Sequence, residues 1–389
     1  MVGRSEAVKI IHVIIGLNVG GAELMLKRLL ESHASLPEID HSVISLTDLG
    51  VIGPQLSALG VPVTALGMRS FLDIPHVLYR LSKILRRAKP DIVQTWMYHA
   101  DLLGGLAARM AGIKNIIWGV RTTDLASGGK KATILIRKIC ALVSKTLPKV
   151  IVCAAEASRK SHVAVGYDDK RMVVIPNGFD LSRLNATQEQ REKIRSAAGI
   201  KPEELVIGSL GRFNPVKDHL NFIAATALLA EKFPDLKFLL VGRGLEHANA
   251  PLMQIISATG YVERFALLGE RQDVAACLKA MDIFCLHSKT EGFPNVLGEA
   301  MAMGLPCVST DVGDAAYLLN GSGIVVLPQD SQALASGLQE MVNLCAEERS
   351  ALARSAKSRI YSNFSIARAS ESFIRLYKQI ASGCVLEEF

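Results

Sequence analysis

Residues Glu291 to Glu299, EGFPNVLGE, set two carboxylates around a helix start. The run follows an apolar segment, DIFCLH, and Pro294 and Asn295 are residue types that open helices. Glu299 then falls within the first two turns, and Glu291 lies in the loop before them. At such an end the N–H groups of Gly292, Phe293, Asn295, Val296 and Leu297 have no helical acceptor. Together with the partial positive charge of the helix they favour an anion. A carboxylate on either side can accept hydrogen bonds from the hydroxyls of a sugar and a ribose. An ordinary capping loop beside a surface glutamate gives the same local pattern.

Arg212 and Lys217, in GRFNPVKDH, follow the apolar run LVIGSLG. Five residues apart across a Pro turn, both can reach one diphosphate. Fixed cations stabilise the charge that develops on a diphosphate leaving group. Solvated loop charges are the alternative, and Gly211 weighs against it because glycine lets the backbone approach a ligand. Three signals are fainter. Gly20 and Gly21, in NVGGAEL, permit φ > 0 and a close ligand approach between a strand and a helix. His99, in QTWMYHAD, follows a strand end, although a lone histidine is more often structural. Gly242, in VGRGLE, belongs to a G-x-G loop without a third glycine, a weak mark of dinucleotide binding.

The elements that must position these residues are short apolar runs separated by amphipathic stretches. VKIIHVIIGL, HSVISL, VPVTAL, DIVQTWM, NIIWGV, KVIVCA and MVVIP read as strands in the first half. LVIGSLG, KFLLVG, FALLGE, DIFCLH, PCVST and GIVVLP read as strands in the second. Strands apolar on both faces and alternating with helices predict parallel sheets covered on both sides. The fold class is therefore α/β, with two doubly wound, Rossmann-like domains facing a central cleft, towards which the strand carboxyl ends and their ligand sites point. The expected domains are residues 1–180, residues 181–364, and a closing helix in 365–389 that packs back on the first domain. IPNGFD, Ile175 to Asp180, marks the link.

Taken in order, GGAE, the His99 segment, IPNGFD, GRFNPVKDH, VGRG, LLGERQDV and EGFPNVLGEAMAMGLPCVSTDVGD resemble the retaining glycosyltransferases of family 4, which have the GT-B fold. The resemblance spans nearly the whole chain, and its most specific element is the pair Glu291 and Glu299. It departs from the family at Arg243, where an acidic or small residue is usual. It implies a nucleotide-sugar donor, a UDP-sugar above all, and a glycan or polyprenyl-linked acceptor. Arg212 and Lys217 would bind the diphosphate. Glu291, with the amides of Gly292 and Phe293, would hold the donor sugar, and Glu299 the ribose. The backbone from Gly269 to Arg271 would meet the base, while Gly21 and His99 would face the transferring sugar from the acceptor domain. The departing phosphate would take the acceptor proton, so neither a metal nor another cofactor is expected, and the chain has no D-x-D motif. Two other readings are a non-catalytic nucleotide-sugar-binding or membrane-associated protein and a nucleotide-sugar epimerase. The complete Arg, Lys and Glu set weighs against the first. The lack of an obvious acid–base set for ring carbons weighs against the second.

Charge is uneven along the chain. Residues 1–180 hold 23 Lys and Arg against 14 Asp and Glu, so the whole net charge of +7 resides there. An anionic partner for the first half is implied. In HVLYRLSKILRRAK, Arg80, Lys83, Arg86 and Arg87 oppose an apolar face. Lys131, Lys138 and Lys145 recur in a second stretch, with Leu135, Ile139, Leu142 and Val143 expected elsewhere around the helix. Docking on an anionic membrane surface is the expected use; a solvated face over a buried stripe is the plain one. Aromatic residues are 5% of the chain, too few for stacking on nucleic acid. The seven cysteines include no C-x-x-C pair and read as reduced core thiols. IIHVIIGL is shorter than the roughly 20 residues of a membrane span and reads as a buried strand. The expected location is cytoplasmic, peripheral on the inner face of the membrane.

Overall fold

The computed structural model describes residues 7–123 and 131–383. The chain forms two compact units, one running to Gly178 and resuming at Ile366, the other Phe179–Ser365.

In the first unit the strands are β1 (Val8–Ile14), β2 (Ile39–Ser45), β3 (Val63–Ala65), β4 (Ile92–Trp96), β5 (Ile116–Val120), β6 (Val150–Cys153) and β7 (Met172–Val174). They lie in the order β3-β2-β1-β4-β5-β6-β7, and every pairing is parallel. Alternate residues feed separate cores. Ile11, Val13, Val93 and Trp118 enter one, while Ile10, Ile14, Ile92, Trp96 and Ile117 enter the other. Both faces are thus buried, which explains why the strands are mostly apolar. Helix Ile366–Ser382 adds Phe373, Leu376, Tyr377 and Ile380 to the second core.

That second face also buries three histidines in a chain of hydrogen bonds. Trp96 Nε1 donates to His12 Nδ1 at 3.2 Å. His12 Nε2 is 3.0 Å from His41 Nδ1, and His41 Nε2 is 2.9 Å from His33 Nδ1. An indole N–H can only donate, so His12 and His41 each accept at Nδ1 and donate at Nε2, and His33 accepts at Nδ1; its own buried Nε2 meets no hydrogen-bond partner among the described residues. All three are neutral. Burial lowers His41 to about 3 and His33 to about 4, and it holds His12 well below the ordinary imidazole range.

The basic helices behave differently from each other. In Ile74–Ala88, Val77, Leu81 and Leu85 are buried while Arg80, Lys83, Arg86 and Arg87 are exposed, as the sequence pattern predicts. In Lys131–Val143 the expectation is corrected. Leu135 and Leu142 are 59% and 79% exposed, and they share the stripe of Lys131, Lys138 and Lys145. Residues spaced by three and four fall on one helical face, and the buried face here is Arg137, Cys140 and Ala141.

The second unit contains β8 (Leu205–Leu210), β9 (Leu236–Val241), β10 (Phe265–Leu267), β11 (Ile283–Leu286), β12 (Cys307–Thr310) and β13 (Ile324–Val326). Their order is β10-β9-β8-β11-β12-β13, again all parallel. The order reverses between β8 and β11, and between β1 and β4 in the first unit. In such sheets a ligand crevice opens at the carboxyl ends of the two strands flanking the reversal. Five cysteines are buried and Cys345 is exposed; Cys384 lies outside the described residues. Among the described residues no helix is long and apolar enough to cross a membrane.

Candidate active site

In the second unit the two loops at the reversal are those carrying Arg212 and Lys217, after β8, and Glu291, after β11. Asn214 Oδ1 accepts from Val216 N–H and starts a single turn, Pro215–Lys217, which ends at Asp218 in the left-handed conformation, φ 54°. The turn aims the lysine across the sheet end. Lys217 Nζ lies 2.5 Å from Glu291 Oε1, and Ser288 Oγ donates to the same oxygen at 2.7 Å. Both partners of the ion pair are only partly buried. Arg212 is exposed at the end of β8. The loops are cross-braced by Lys289, whose N–H donates to Val216 O at 2.8 Å and whose Nζ is 3.4 Å from Asp218 Oδ1.

Helix Asn295–Ala302 follows, with Pro294 before it. Gly292 O accepts from Asp314 N–H at 3.0 Å, which fixes the loop from behind. Phe293 is buried against Phe179 and Phe364, so its side chain belongs to the core and only its main chain can serve a ligand. Asn295 and Val296 open the helix. Leu297 is a correction. Its N–H donates to Pro294 O at 3.1 Å and its side chain is fully buried, so it is not a free amide. The physical reason is that the first turn closes on Pro294, one residue earlier than a free end would allow. Glu299 lies one turn into the helix and is partly exposed.

Gly242 has a packing reason. Its φ is 147°, and an added Cβ would stand 2.1 Å from Gly211 O. The loops after β8 and β9 touch there through their backbones, and Phe213 N–H donates to Arg243 O at 2.8 Å. The Arg271 side chain is engaged by both oxygens of Asp273, at 2.8 and 2.7 Å, while Gly269 N–H donates to Leu245 O and its carbonyl accepts from Gly242 N–H, both at 2.8 Å.

Gly21 and His99 lie in the first unit, after β1 and at the end of β4. Neither Gly20 nor Gly21 uses the positive φ that glycine permits: Gly20 is extended and Gly21 is the first helical residue. A Cβ on Gly21 would meet nothing within 4 Å. His99 is the second residue of helix Tyr98–Met110, two positions after Met97 at φ 71°, and burial lowers its pKa. A non-glycine residue at such φ is strained, and strain of this kind gathers at functional sites. The sequence reading passed over His287 and Ser288, which hold Lys217 and Glu291 from behind. The only signal was a polar pair closing the apolar strand IFCL.

Residues 19–183 match the family described as Glycosyltransferase Family 4, and residues 204–343 match Glycosyl transferases group 1. The chain belongs to glycosyltransferase family 4. The enzyme is 27% identical, over 85% of its length and 86% of the relative's, to the UDP-Gal:alpha-D-GlcNAc-diphosphoundecaprenol alpha-1,3-galactosyltransferase of Escherichia coli. The Anabaena protein HepE in complex with UDP superposes on this transferase with a TM-score of 0.83 at 21% identity, covering 95% of this chain and all of the other. The lipopolysaccharide glycosyltransferase WaaG superposes with a TM-score of 0.70 at 16% identity, covering 93% and 98%. The glycosyltransferase thus has the GT-B fold.

Proposed function

We propose that this glycosyltransferase moves a sugar from a UDP-sugar to a lipid-linked glycan acceptor in surface-polysaccharide synthesis, with retention and without a metal ion. The observation that carries the reading is the meeting of Lys217 and Glu291 at the strand reversal, beside exposed Arg212. Arg212 and Lys217 bind the diphosphate, and the main chain opening helix Asn295–Ala302 adds positive potential. Glu291 and the amides of Gly292 and Phe293 hold the donor sugar, Glu299 the ribose, and the main chain from Gly269 to Arg271 the base. Gly21 and His99 serve the acceptor side.

The acceptor oxygen forms its bond to the anomeric carbon on the face that the diphosphate leaves. The bond from that carbon to the phosphate oxygen breaks, its electron pair stays on the phosphate, and the phosphate takes the acceptor's proton. The protein supplies charge and position rather than a base. The printed activity of the Escherichia coli relative, with UDP-galactose and a diphosphoundecaprenol-linked acceptor, supports this donor and acceptor class. The cationic faces of the first unit support action at the inner, anionic membrane surface. Incubation with UDP-sugars and a diphosphoprenyl-linked monosaccharide tests the proposal. A disaccharide product whose new linkage keeps the donor's anomeric configuration is expected. Inversion would remove the mechanism, and donor binding without any product would favour a non-catalytic role.

A further inference from the structure

Lys217 reaches Glu291 only if its own loop is held, and Lys289 braces that loop on either side of Lys217, at Val216 and Asp218. Asp218, next in the chain, sits at φ 54°, a conformation that costs a non-glycine residue about 1 kcal/mol. At Lys217 itself the brace comes from His287, the first residue after β11. Its ring is buried, 4.7 Å from the Phe222 ring and 5.0 Å, edge-on, from that of His219. Nδ1 is 2.5 Å from the carbonyl oxygen of Lys217, and Nε2 is 2.8 Å from Ser209 Oγ in β8. A carbonyl can only accept, so Nδ1 carries the proton and Nε2 accepts from the Ser209 hydroxyl. The ring thereby ties together β8, β11 and the turn between them.

We propose that His287 is a positioning residue for glycosyl transfer: its Nδ1–H holds the Lys217 carbonyl and so sets the ammonium group against Glu291 and the donor diphosphate. The inference rests on the reading of Lys217 as a diphosphate ligand. His287 acts through the lysine's main chain and touches no substrate itself. Burial next to His219 and Lys217 keeps it neutral, with a pKa well below the usual imidazole value, so the donated proton stays on Nδ1 across the working pH range.

Side-chain geometry provides a sharp test. Asparagine places an N–H where the imidazole places Nδ1–H, whereas glutamine reaches toward the Nε2 position and leucine offers neither. His287→Asn, His287→Gln, His287→Leu and Lys217→Ala are compared for hydrolysis of whichever donor the wild type cleaves fastest among UDP-glucose, UDP-galactose, UDP-N-acetylglucosamine and GDP-mannose. His287→Asn should stay within about threefold of wild type, while His287→Gln and His287→Leu should fall by about tenfold or more, the worth of one well-placed buried hydrogen bond. Adding His287→Gln to Lys217→Ala should cost little further, because both act on one group. If His287→Asn is as impaired as His287→Gln while Lys217→Ala is also impaired, His287 only fills space and the positioning role is wrong. If Lys217→Ala hydrolyses normally, or wild type cleaves none of the four donors, the diphosphate reading itself has failed and the inference falls with it.

Discussion

Lys217 and Glu291, 74 residues apart in the chain, meet at 2.5 Å where the second sheet reverses its strand order. Each holds the other's charge at a fixed point, which is what electrostatic catalysis needs, since no reorganisation is then required when the leaving group becomes charged. Lys217→Ala and Arg212→Ala should each lower turnover by roughly a hundredfold. Arg212 is exposed, so its replacement should leave the melting temperature nearly unchanged. Steady-state assays with paired melting curves check both. Near-normal turnover of either variant contradicts its assigned role.

Glu291 and Glu299 should separate in function. Glu299→Gln is expected to weaken inhibition by the free nucleoside diphosphate, because a ribose contact contributes to nucleotide binding. Glu291→Ala should reduce transfer more than it weakens that inhibition, because its proposed partner is the donor sugar. Competition assays read the two effects directly. Equal inhibition constants for wild type and Glu299→Gln would remove Glu299 from the nucleotide site.

Much of the fold is legible in the sequence alone. The strands could be found because parallel strands buried on both faces carry apolar residues at nearly every position. The helix at Asn295 could be found because Pro294 and the run after it are helix-opening residues. Pairings over long separations could not. Nothing in GRFNPVKDH shows that Lys217 meets Glu291, or that His287 holds the lysine's carbonyl. Gly298 is a similar case. A Cβ there would lie 2.1 Å from Phe179 Cζ, so this glycine answers to an aromatic ring 119 positions earlier in the chain. Helix Lys131–Val143 was misread for a different reason. Its apolar residues nearly encircle it, so periodicity alone could not select the buried side, and packing put Leu135 and Leu142 outside.

The buried histidines give the fold an acid sensitivity of definite sign. His33, His162 and His219 fall to about 4 and His41 to about 3, in each case mainly through burial. Unfolded imidazoles titrate near 6.5, so below that pH the unfolded chain binds protons the folded one refuses. Stability is full above about 6.5 and is lost as pH falls toward the folded values, by up to about 1.4 kcal/mol per histidine per pH unit. Melting temperature should therefore drop between pH 7 and pH 5. A flat profile across that interval would show that these rings are already accessible to protons in the folded state.

Membrane docking should have an electrostatic and an apolar part, because Leu135 and Leu142 share the stripe of Lys131, Lys138 and Lys145. Each surface lysine is worth about 1 kcal/mol near an anionic bilayer, and salt screens that share. Co-sedimentation with vesicles containing phosphatidylglycerol should weaken as salt rises. Changing the three lysines to glutamate should abolish it, and Leu135→Ser with Leu142→Ser should reduce it at low salt. Wild-type protein that stays in the supernatant at low salt would move the acceptor from lipid to solution.

The central claim is that Arg212, Lys217 and the loop before helix Asn295–Ala302 neutralise a donor diphosphate by themselves. The most direct test is release of nucleoside diphosphate from the preferred UDP-sugar, measured with wild-type enzyme in excess EDTA and again with added magnesium or manganese. The expected result is the same rate in all three conditions. Complete loss in EDTA that either metal restores would contradict the claim, because a metal would then be carrying the charge assigned to Arg212 and Lys217.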